Sequence, residues 1–268
     1  MPGVIIFNIY ARRITYSQEW RGSPALLQDP SPLELTPKQL QFNAAMELYT
    51  SRAGYRLFNS CVSITNVSLQ LYLVYKLLPV SIGAEGQFFS LLAAIVLADF
   101  INGLVHMYMD GNDRYDSVAG PLIANFHLHH KRPKYRRNNL LVVYFVETGS
   151  KVWLAGYLLA VVLFLPVIHP MAACILVYTG ILSSYAEVSH YLCHTSCSPL
   201  SLLLARLGLV LSKRRHARHH LEDNTNYTFL NGCTDPLVNM FAKWFHKGYK
   251  HTTDLHYAHY VIEGTEGR

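Results

Sequence analysis

The chain has 268 residues, of which 51% are hydrophobic and 15% are charged, and its mean hydropathy is +0.15. Because an ordinary soluble domain carries about 25% charged residues, this composition excludes a disordered or tail-like interaction protein. The net charge of +6 would suit nucleic acid, but the sequence carries no nucleic-acid-binding motif, so no nucleic-acid partner is predicted. Five cysteines in so long a chain do not indicate a disulfide framework, whereas fourteen histidines point to metal binding or acid–base chemistry.

The first 57 residues are predicted to form a leader followed by an interfacial helix. Residues 14–35 are rich in Ser, Pro and Gln, as flexible segments are. Thr36 followed by Pro37 is typical of an N-cap and a first helical residue, so we expect a helix over about 37–54. Its apolar side is predicted to carry Leu40, Ala44, Met46 and Leu48.

Four apolar stretches follow, and each approaches the ~20 residues that a helix needs to cross a bilayer. They cover 58–80, 88–109, 152–168 and 171–190. The sequence therefore predicts an all-α integral-membrane protein, in which a four-helix transmembrane bundle occupies 58–240 and a polar tail occupies 241–268. A soluble bundle of unusually apolar helices is the alternative. The stretch 199–212 is apolar but too short to span, and is predicted to form an interfacial helix.

Basic residues are distributed unevenly between the two ends of the predicted bundle. The connection 110–151 and the segment after His190 are rich in Lys and Arg, whereas the links 81–87 and 169–170 contain neither. By the positive-inside rule, both termini and the long connection are expected on the cytoplasmic side. The bacterial inner membrane, the endoplasmic reticulum and a plastid membrane all fit this topology.

Nine of the histidines fall into four clusters with helical spacing, which places the members of a cluster three or four residues apart on one helix face. The clusters are His106 with Asp110; His127, His129 and His130; His190 with His194; and His216, His219 and His220. The predicted topology brings all four to the cytoplasmic face, as a histidine-rich cap. Asp99 lies two helical turns before His106 and is predicted to orient the histidines, because an acid inside a membrane is rarely without function.

The number of histidines predicts two metal ions, because one zinc needs only three or four ligands. Imidazole ligands suit iron, zinc or copper. Two other sites remain as alternatives. One is a structural zinc held by His190, Cys193, His194 and Cys197; the other is a non-enzymatic membrane metal or haem sensor with His106 and His190 as the haem ligands.

The clusters and the residues around them resemble the integral-membrane lipid desaturase family, which includes the plasmanylethanolamine desaturases and the plastid phosphatidylglycerol desaturases. The resemblance covers about 90–240. The segments that carry it are ADFINGLVHMYMD (98–110), FHLHHKRP (126–133), FVET (145–148), HYLCH (190–194) and LVLSKRRHARHHLEDNTNYTFLNG (209–232).

This resemblance implies a histidine-bound di-iron centre and an O2-dependent removal of two hydrogens from a lipid chain. The ligands that it implies are His106, Asp110, His129, His130, His190, His194, His216, His219 and His220. Residues expected to orient these ligands are Asp99, His127, Glu147 and Asn226. Basic residues expected to contact the lipid headgroup, if they do more than set the topology, are Arg136, Arg137, Lys213 and Arg214.

The expected function is therefore an O2-dependent di-iron desaturase acting on an alkyl or acyl chain of a membrane phospholipid, either a plasmanyl ether lipid or an acyl lipid. The sequence shows no haem-attachment motif and no glycine-rich nucleotide loop, so an external donor of the cytochrome b5 or ferredoxin type is expected to supply electrons. Hydroxylation of the lipid at the same site remains an alternative, as does the sensor.

Overall fold

The computed structural model describes residues 34–131, 139–146 and 151–260. From Leu35 onward the chain forms one compact unit, and its described part is built from α-helices and short turns. The helices are α1 (Pro37–Ser51), α2 (Ala53–Leu77), α3 (Gly83–Asp110), α4 (Gly120–Lys131), α5 (Leu140–Val146), α6 (Val152–Phe164), α7 (Pro170–Thr195), α8 (Pro199–Arg206), α9 (Lys213–Leu221), α10 (Asp235–Phe245) and α11 (Thr253–His256).

Within the described residues, three helices are long and apolar enough to cross a membrane. They are α2, α3 and α7, with 25, 28 and 26 residues. The third predicted span, 152–168, forms the 13-residue helix α6 and a 3₁₀ turn at Leu165–Val167. This apolar segment is shorter than the ~20 residues of an ordinary span, so the described structure supports the other three spans by length, and the span at 152–168 stays a prediction.

Helices α3 and α7 pack along each other and form the centre of the bundle. Small side chains such as Ala98 and Ala186 are completely buried between them, which lets the two backbones approach closely. The Asn102 amide donates to Ala98 O at 2.7 Å and to Ser183 Oγ at 2.9 Å. Gln70 of α2 donates to Ser184 Oγ at 2.8 Å, so buried polar side chains connect all three long helices.

Helix α1 begins as its sequence predicts but buries a different side. Thr36 and Gln39 form a reciprocal capping box, and Pro37 is the first helical residue. The side chains that pack inward are those of Gln39, Phe42, Ala45 and Met46, while Leu40 and Leu48 are exposed. Phe42 packs against Tyr115 and Tyr257, a contact that the sequence pattern of α1 could not reveal, and the predicted interfacial side at Leu40 and Leu48 faces away from this core.

Candidate metal centre

Helices α3 and α7 each carry one pair of candidate ligands near their carboxyl ends. His106 and Asp110 lie one turn apart on α3, and His190 and His194 lie one turn apart on α7. Since residues four apart share a helix face, each pair points to one side of its helix. Because α3 and α7 pack together, both pairs lie at the same end of the bundle, where the His106 and His190 ring centroids are 6.4 Å apart.

Two shorter helices complete the cluster, and each carries adjacent histidines. His129 and His130 lie in the last turn of α4, and His219 and His220 in the last turn of α9. Neighbouring residues on a helix differ in direction by about 100°. Adjacent histidines therefore face two different positions, and the ligand-capable atoms of the cluster divide into two groups.

The first group consists of histidines only. His129, His190, His216 and His220 place ring nitrogens within 4.8 Å of one another. The Nε2 atom of His216 lies 2.9 Å from Nε2 of His190 and 2.9 Å from Nε2 of His220. His194 joins the same point, with its Nε2 atom 2.8 Å from that of His216 and 3.0 Å from that of His190.

The second group is centred on a buried carboxylate. His106, Asp110, His130 and His219 place ligand-capable atoms within 4.8 Å of one another. Oδ1 of Asp110 lies 3.3 Å from Nε2 of His130 and 3.6 Å from Nε2 of His106, and Oδ2 lies 3.5 Å from Nε2 of His219. Both groups together contain all nine residues that the resemblance implies as ligands.

Hydrogen bonds at the opposite ring nitrogens orient four of these histidines. The Nδ1 atoms of His106, His129 and His219 lie 2.7, 2.8 and 3.0 Å from the backbone carbonyls of Tyr227, Phe126 and Thr225, which can only accept. Nδ1 of His130 lies 3.0 Å from the Asp254 carboxylate. Nδ1 therefore carries a proton in all four rings, and the Nε2 atoms of His106, His129 and His219 present their lone pairs to the centre of the cluster, as in metal-bound histidines.

Burial keeps most of the imidazoles outside the long helices neutral. It lowers the pKa of His129, His216 and His219 well below the usual value of 6.5, and lowers the pKa of His220 to about 3. His130 is the exception: burial alone lowers its pKa, but Asp110 and Asp254 outweigh burial and raise the pKa to about 9. Neutral imidazoles are the form that binds metal.

The donor set fits metal ions better than it fits a protein core. The buried Nε2 atoms of His106, His129, His130 and His219, and both carboxylate oxygens of Asp110, have no hydrogen-bond partner in the described structure. Such orphaned polar atoms are rare in folded proteins and call for a ligand. Two nitrogens bound to one metal at ~2.1 Å and at right angles would lie ~3.0 Å apart, close to the spacing in the first group.

A cavity of about 210 Å³ adjoins the histidines. His106, His129 and His190 form part of its wall. Most of the rest is apolar, and includes Val105, Met109, Leu122, Phe126, Trp153 and Phe229. The cavity thus offers an apolar chain a place directly beside both ligand groups.

A comparison with known protein families identifies the family of the chain that carries this site. The lipid desaturase domain matches residues 95–247, which contain all nine candidate ligands and most of the cavity wall. The chain belongs to the lipid desaturase family. It is accordingly an oxidoreductase and a membrane protein that acts on a lipid, and this family typically uses iron. The comparisons with curated proteins and with solved structures give no match.

Asp99 has a different position from the one predicted. Its carboxylate accepts hydrogen bonds from the backbone amides of Asn231, Gly232 and Thr234 at 3.0, 3.2 and 2.9 Å, and from the Thr234 hydroxyl at 2.7 Å. Asp99 thus holds the loop before α10 against α3. Within the described residues its carboxylate bonds to this loop instead of to a histidine ring, because the loop returns over this face of α3.

His127 and Asn226 lie beside the ligands of the desaturase but do not converge with them. The His127 ring bonds through Nε2 to Met109 O at 2.7 Å and through Nδ1 to the Tyr115 hydroxyl at 2.8 Å. The amide of Asn226 donates to Arg215 O at 3.3 Å. These contacts hold α4 and the 224–228 loop in place, and this loop supplies the carbonyls that orient His106 and His219.

The remaining predicted site residues lie at the edge of the centre or outside the described part. Lys213 is half-buried and Arg214 is exposed, both in the first turn of α9. Arg136, Arg137 and Glu147 lie outside the described residues.

The predicted polar tail contributes residues that sequence reasoning missed. Tyr249 and Thr253 are buried, Asp254 bonds to His130, and His246 is half-buried beside Tyr227. His251 and His259 are exposed, whereas His256 is half-buried. Asp254 is 124 positions from His130, so no local spacing could have linked them.

The two alternative metal sites are not supported by the packing. Cys193 lies in an apolar cluster with Ala98 and Leu211, and Cys197 is exposed, so these thiols do not converge with His190. A haem between His106 and His190 would need open space for the porphyrin. The rings of His219 and His129 occupy that region, with centroids 4.6 Å from His106 and 5.4 Å from His190.

Proposed function

We propose that this protein is an O2-dependent di-iron desaturase that introduces a double bond into an alkyl or acyl chain of a membrane phospholipid. The observation that carries the proposal is the convergence of two groups of ligand-capable side chains beside an apolar cavity, where the Nε2 atoms of His106, His129, His130 and His219 and the Asp110 carboxylate have no hydrogen-bond partner in the described structure. Unactivated C–H bonds resist acid–base chemistry, so a metal-based oxidant is required for such a reaction.

The protein would hold two ions with separate ligand groups. His129, His190, His194, His216 and His220 would hold one, and His106, Asp110, His130 and His219 the other. When bound, iron would supply the oxidising chemistry with O2 as the electron acceptor. The chain itself contributes ligand orientation, through the carbonyls of Phe126, Thr225 and Tyr227, and a buried setting that limits access of water.

The cavity would receive the lipid chain from the bilayer. Its wall includes Val105 of α3 and Glu187 of α7, both on helices long enough to span, and Trp153 of α6. An alkyl or acyl chain entering between these helices would pass His106 and His190. The headgroup would remain at the polar end of the bundle, on the side of Lys213 and Arg214. Arg136 and Arg137, which lie outside the described residues, are proposed to contact the headgroup as well.

Further parts of the proposal concern topology and partners. Both termini and the metal centre would lie on the cytoplasmic side, in the endoplasmic reticulum, a bacterial inner membrane or a plastid, with α6 as a fourth span. Electrons would come from an external donor of the cytochrome b5 or ferredoxin type, since the chain carries no motif for a redox cofactor other than the histidine clusters.

The test is reconstitution of the full chain in nanodiscs with phospholipid, a reducing donor and O2, followed by mass spectrometry of the lipids. A product two hydrogens lighter than its precursor is expected, and His216→Ala should abolish it. A product that has gained one oxygen atom would indicate the hydroxylase. If neither product forms while the donor is being oxidised, the proposed reaction is wrong.

A further inference from the structure

The segment that follows α10 returns across the metal centre. We call residues 249–257 the C-terminal strap; it lies beyond the matched desaturase domain, which ends at residue 247. The strap is attached at its far end, where Gln39 Nε2 donates to Leu255 O at 3.0 Å and Lys131 Nζ donates to Tyr257 O at 2.9 Å. These bonds reach α1 and α4, so the strap is held between two helices.

The strap contacts three of the four ligands in the second group. Oδ1 of Asp254 lies 3.0 Å from Nδ1 of His130. The Thr253 hydroxyl donates to the backbone carbonyl of Asp110 at 2.5 Å. The Tyr249 hydroxyl lies 3.2 Å from Nδ1 of His219 and donates to the carbonyl of the same residue.

The strap contacts the first group through a backbone carbonyl and not through an imidazole ring. Lys250 Nζ donates to the backbone carbonyl of His220, and its ammonium also lies 2.8 Å from Oδ2 of Asp254. Lys250 therefore holds the Asp254 carboxylate in place while leaving the His220 ring untouched. Within the described structure, the strap's hydrogen bonds to imidazole rings of the cluster go to the second group, at His130 and His219.

A carboxylate that accepts from the far nitrogen of a ligating histidine fixes the ring and raises its basicity. Loss of such a partner typically costs about 10–100-fold in metal affinity. The His130 and Asp254 side chains are 2% and 11% exposed, so water replaces this bond poorly. Loss of the Asp254 carboxylate should therefore lower the metal affinity by an amount near the upper end of this range, about 100-fold.

We propose that the C-terminal strap, through Asp254, positions His130 and thereby holds the metal ion of the second group, while the ion of the first group is retained without it. This inference rests on the two-metal centre of the proposed function. It gives the strap, which lies outside the matched desaturase domain, a role in metal retention at one of the two metal positions. Asp254 acts here as a positioning residue.

The experiment measures iron per chain in detergent-purified, full-length variants after dialysis against limiting iron. Wild type should retain about two irons and Asp254→Ala about one. Asp254→Asn keeps an acceptor oxygen without its charge, so it should lie between them. The matched control is Asp116→Asn, at an exposed aspartate in the α3–α4 connection, and it should equal wild type.

Double variants identify which ion depends on the strap. Adding His106→Ala to Asp254→Ala should cause no further loss, because both changes empty the second group. Adding His216→Ala should remove the remaining iron. Helicity by circular dichroism checks that each variant is folded, and Asp254→Asn serves if the alanine variant is not.

The outcomes separate the inference from the proposed function. Two irons in wild type and two in both Asp254 variants would overturn the role of the strap and leave the metal centre intact. Iron loss from Asp254→Ala that deepens with His106→Ala instead of His216→Ala would also overturn it. A folded wild type that binds no second iron would overturn both.

Discussion

The backbone carbonyl of Tyr227 lies 2.7 Å from Nδ1 of His106, although the two residues are 121 positions apart in the chain. This bond places the proton of the imidazole on Nδ1 and turns Nε2 toward Asp110. The same loop supplies the Thr225 carbonyl to His219, so one short irregular segment orients two ligands from two helices. A loop of this kind is therefore part of the candidate metal centre, even though none of its side chains is a candidate ligand.

Single-ligand variants should separate the two metal positions. His216→Ala removes a ring from the first group and His106→Ala removes one from the second, so each variant should lose about one of two irons. Lipid desaturation should fall by at least about 100-fold in both, since the proposed chemistry needs both ions. Inductively coupled plasma mass spectrometry of purified protein gives the metal count. His259→Ala, at an exposed histidine, is the control; equal iron content in all four proteins would contradict the assignment.

Filling the cavity should block the lipid without disturbing the metals. Leu122 of α4 lines the cavity and is not one of the candidate ligands. Leu122→Trp is expected to lower the rate of desaturation at least tenfold, because the larger ring occupies the space that the chain would use, while iron content stays at the wild-type value. Leu203→Trp, on the exposed side of α8, is the matched control. Full activity of Leu122→Trp would show that the chain binds elsewhere.

Asp99→Asn should destabilise the protein. The Asp99 carboxylate accepts five hydrogen bonds from the loop 231–234, one of them from the Cys233 thiol, and an amide would turn its NH2 group toward some of these donors. A loss on the order of 2–3 kcal/mol in the free energy of unfolding is expected from bonds to a buried charge. Denaturant unfolding in detergent measures it, with Asp116→Asn as the control. An unchanged free energy would mean that the loop is held by other contacts.

The buried ion pair of Lys151 and Glu187 provides a further stability test. Lys151 Nζ lies 3.3 Å from Glu187 Oε1 and 3.0 Å from Asn102 Oδ1, and also donates to Ser183 O. Lys151→Met should cost about 3–5 kcal/mol, because it leaves Glu187 as a buried charge without its partner.

The double variant Lys151→Met/Glu187→Gln removes that uncompensated charge and should recover part of the loss. Unfolding of the two variants and wild type under the same conditions gives the comparison. If the double variant is less stable than Lys151→Met, then Glu187 is not the group that the substitution leaves unpaired.

The local pattern of apolar residues was sufficient to predict some helices and insufficient to predict others. The apolar lengths of α2, α3 and α7 exceed what most buried helices show, so these helices could be predicted from the sequence. The stretch 152–168 looked equally apolar, but hydropathy does not report where a helix ends, and α6 is only 13 residues long. The side of α1 that packs on the core could not be predicted from local pattern because its partners, Tyr115 and Tyr257, come from distant parts of the chain.

By itself, the sequence predicted which residues of this desaturase could bind metal, because helical spacing indicates which histidines share a face and the family resemblance implies the nine ligands. Only the tertiary structure decided how they divide: adjacent histidines such as His129 and His130 diverge to two positions once α4 is placed against α3 and α7. It also decided that Asp254 and the carbonyl of Tyr227 complete the centre. Such contacts depend on packing between segments more than 100 residues apart, and no local periodicity encodes them.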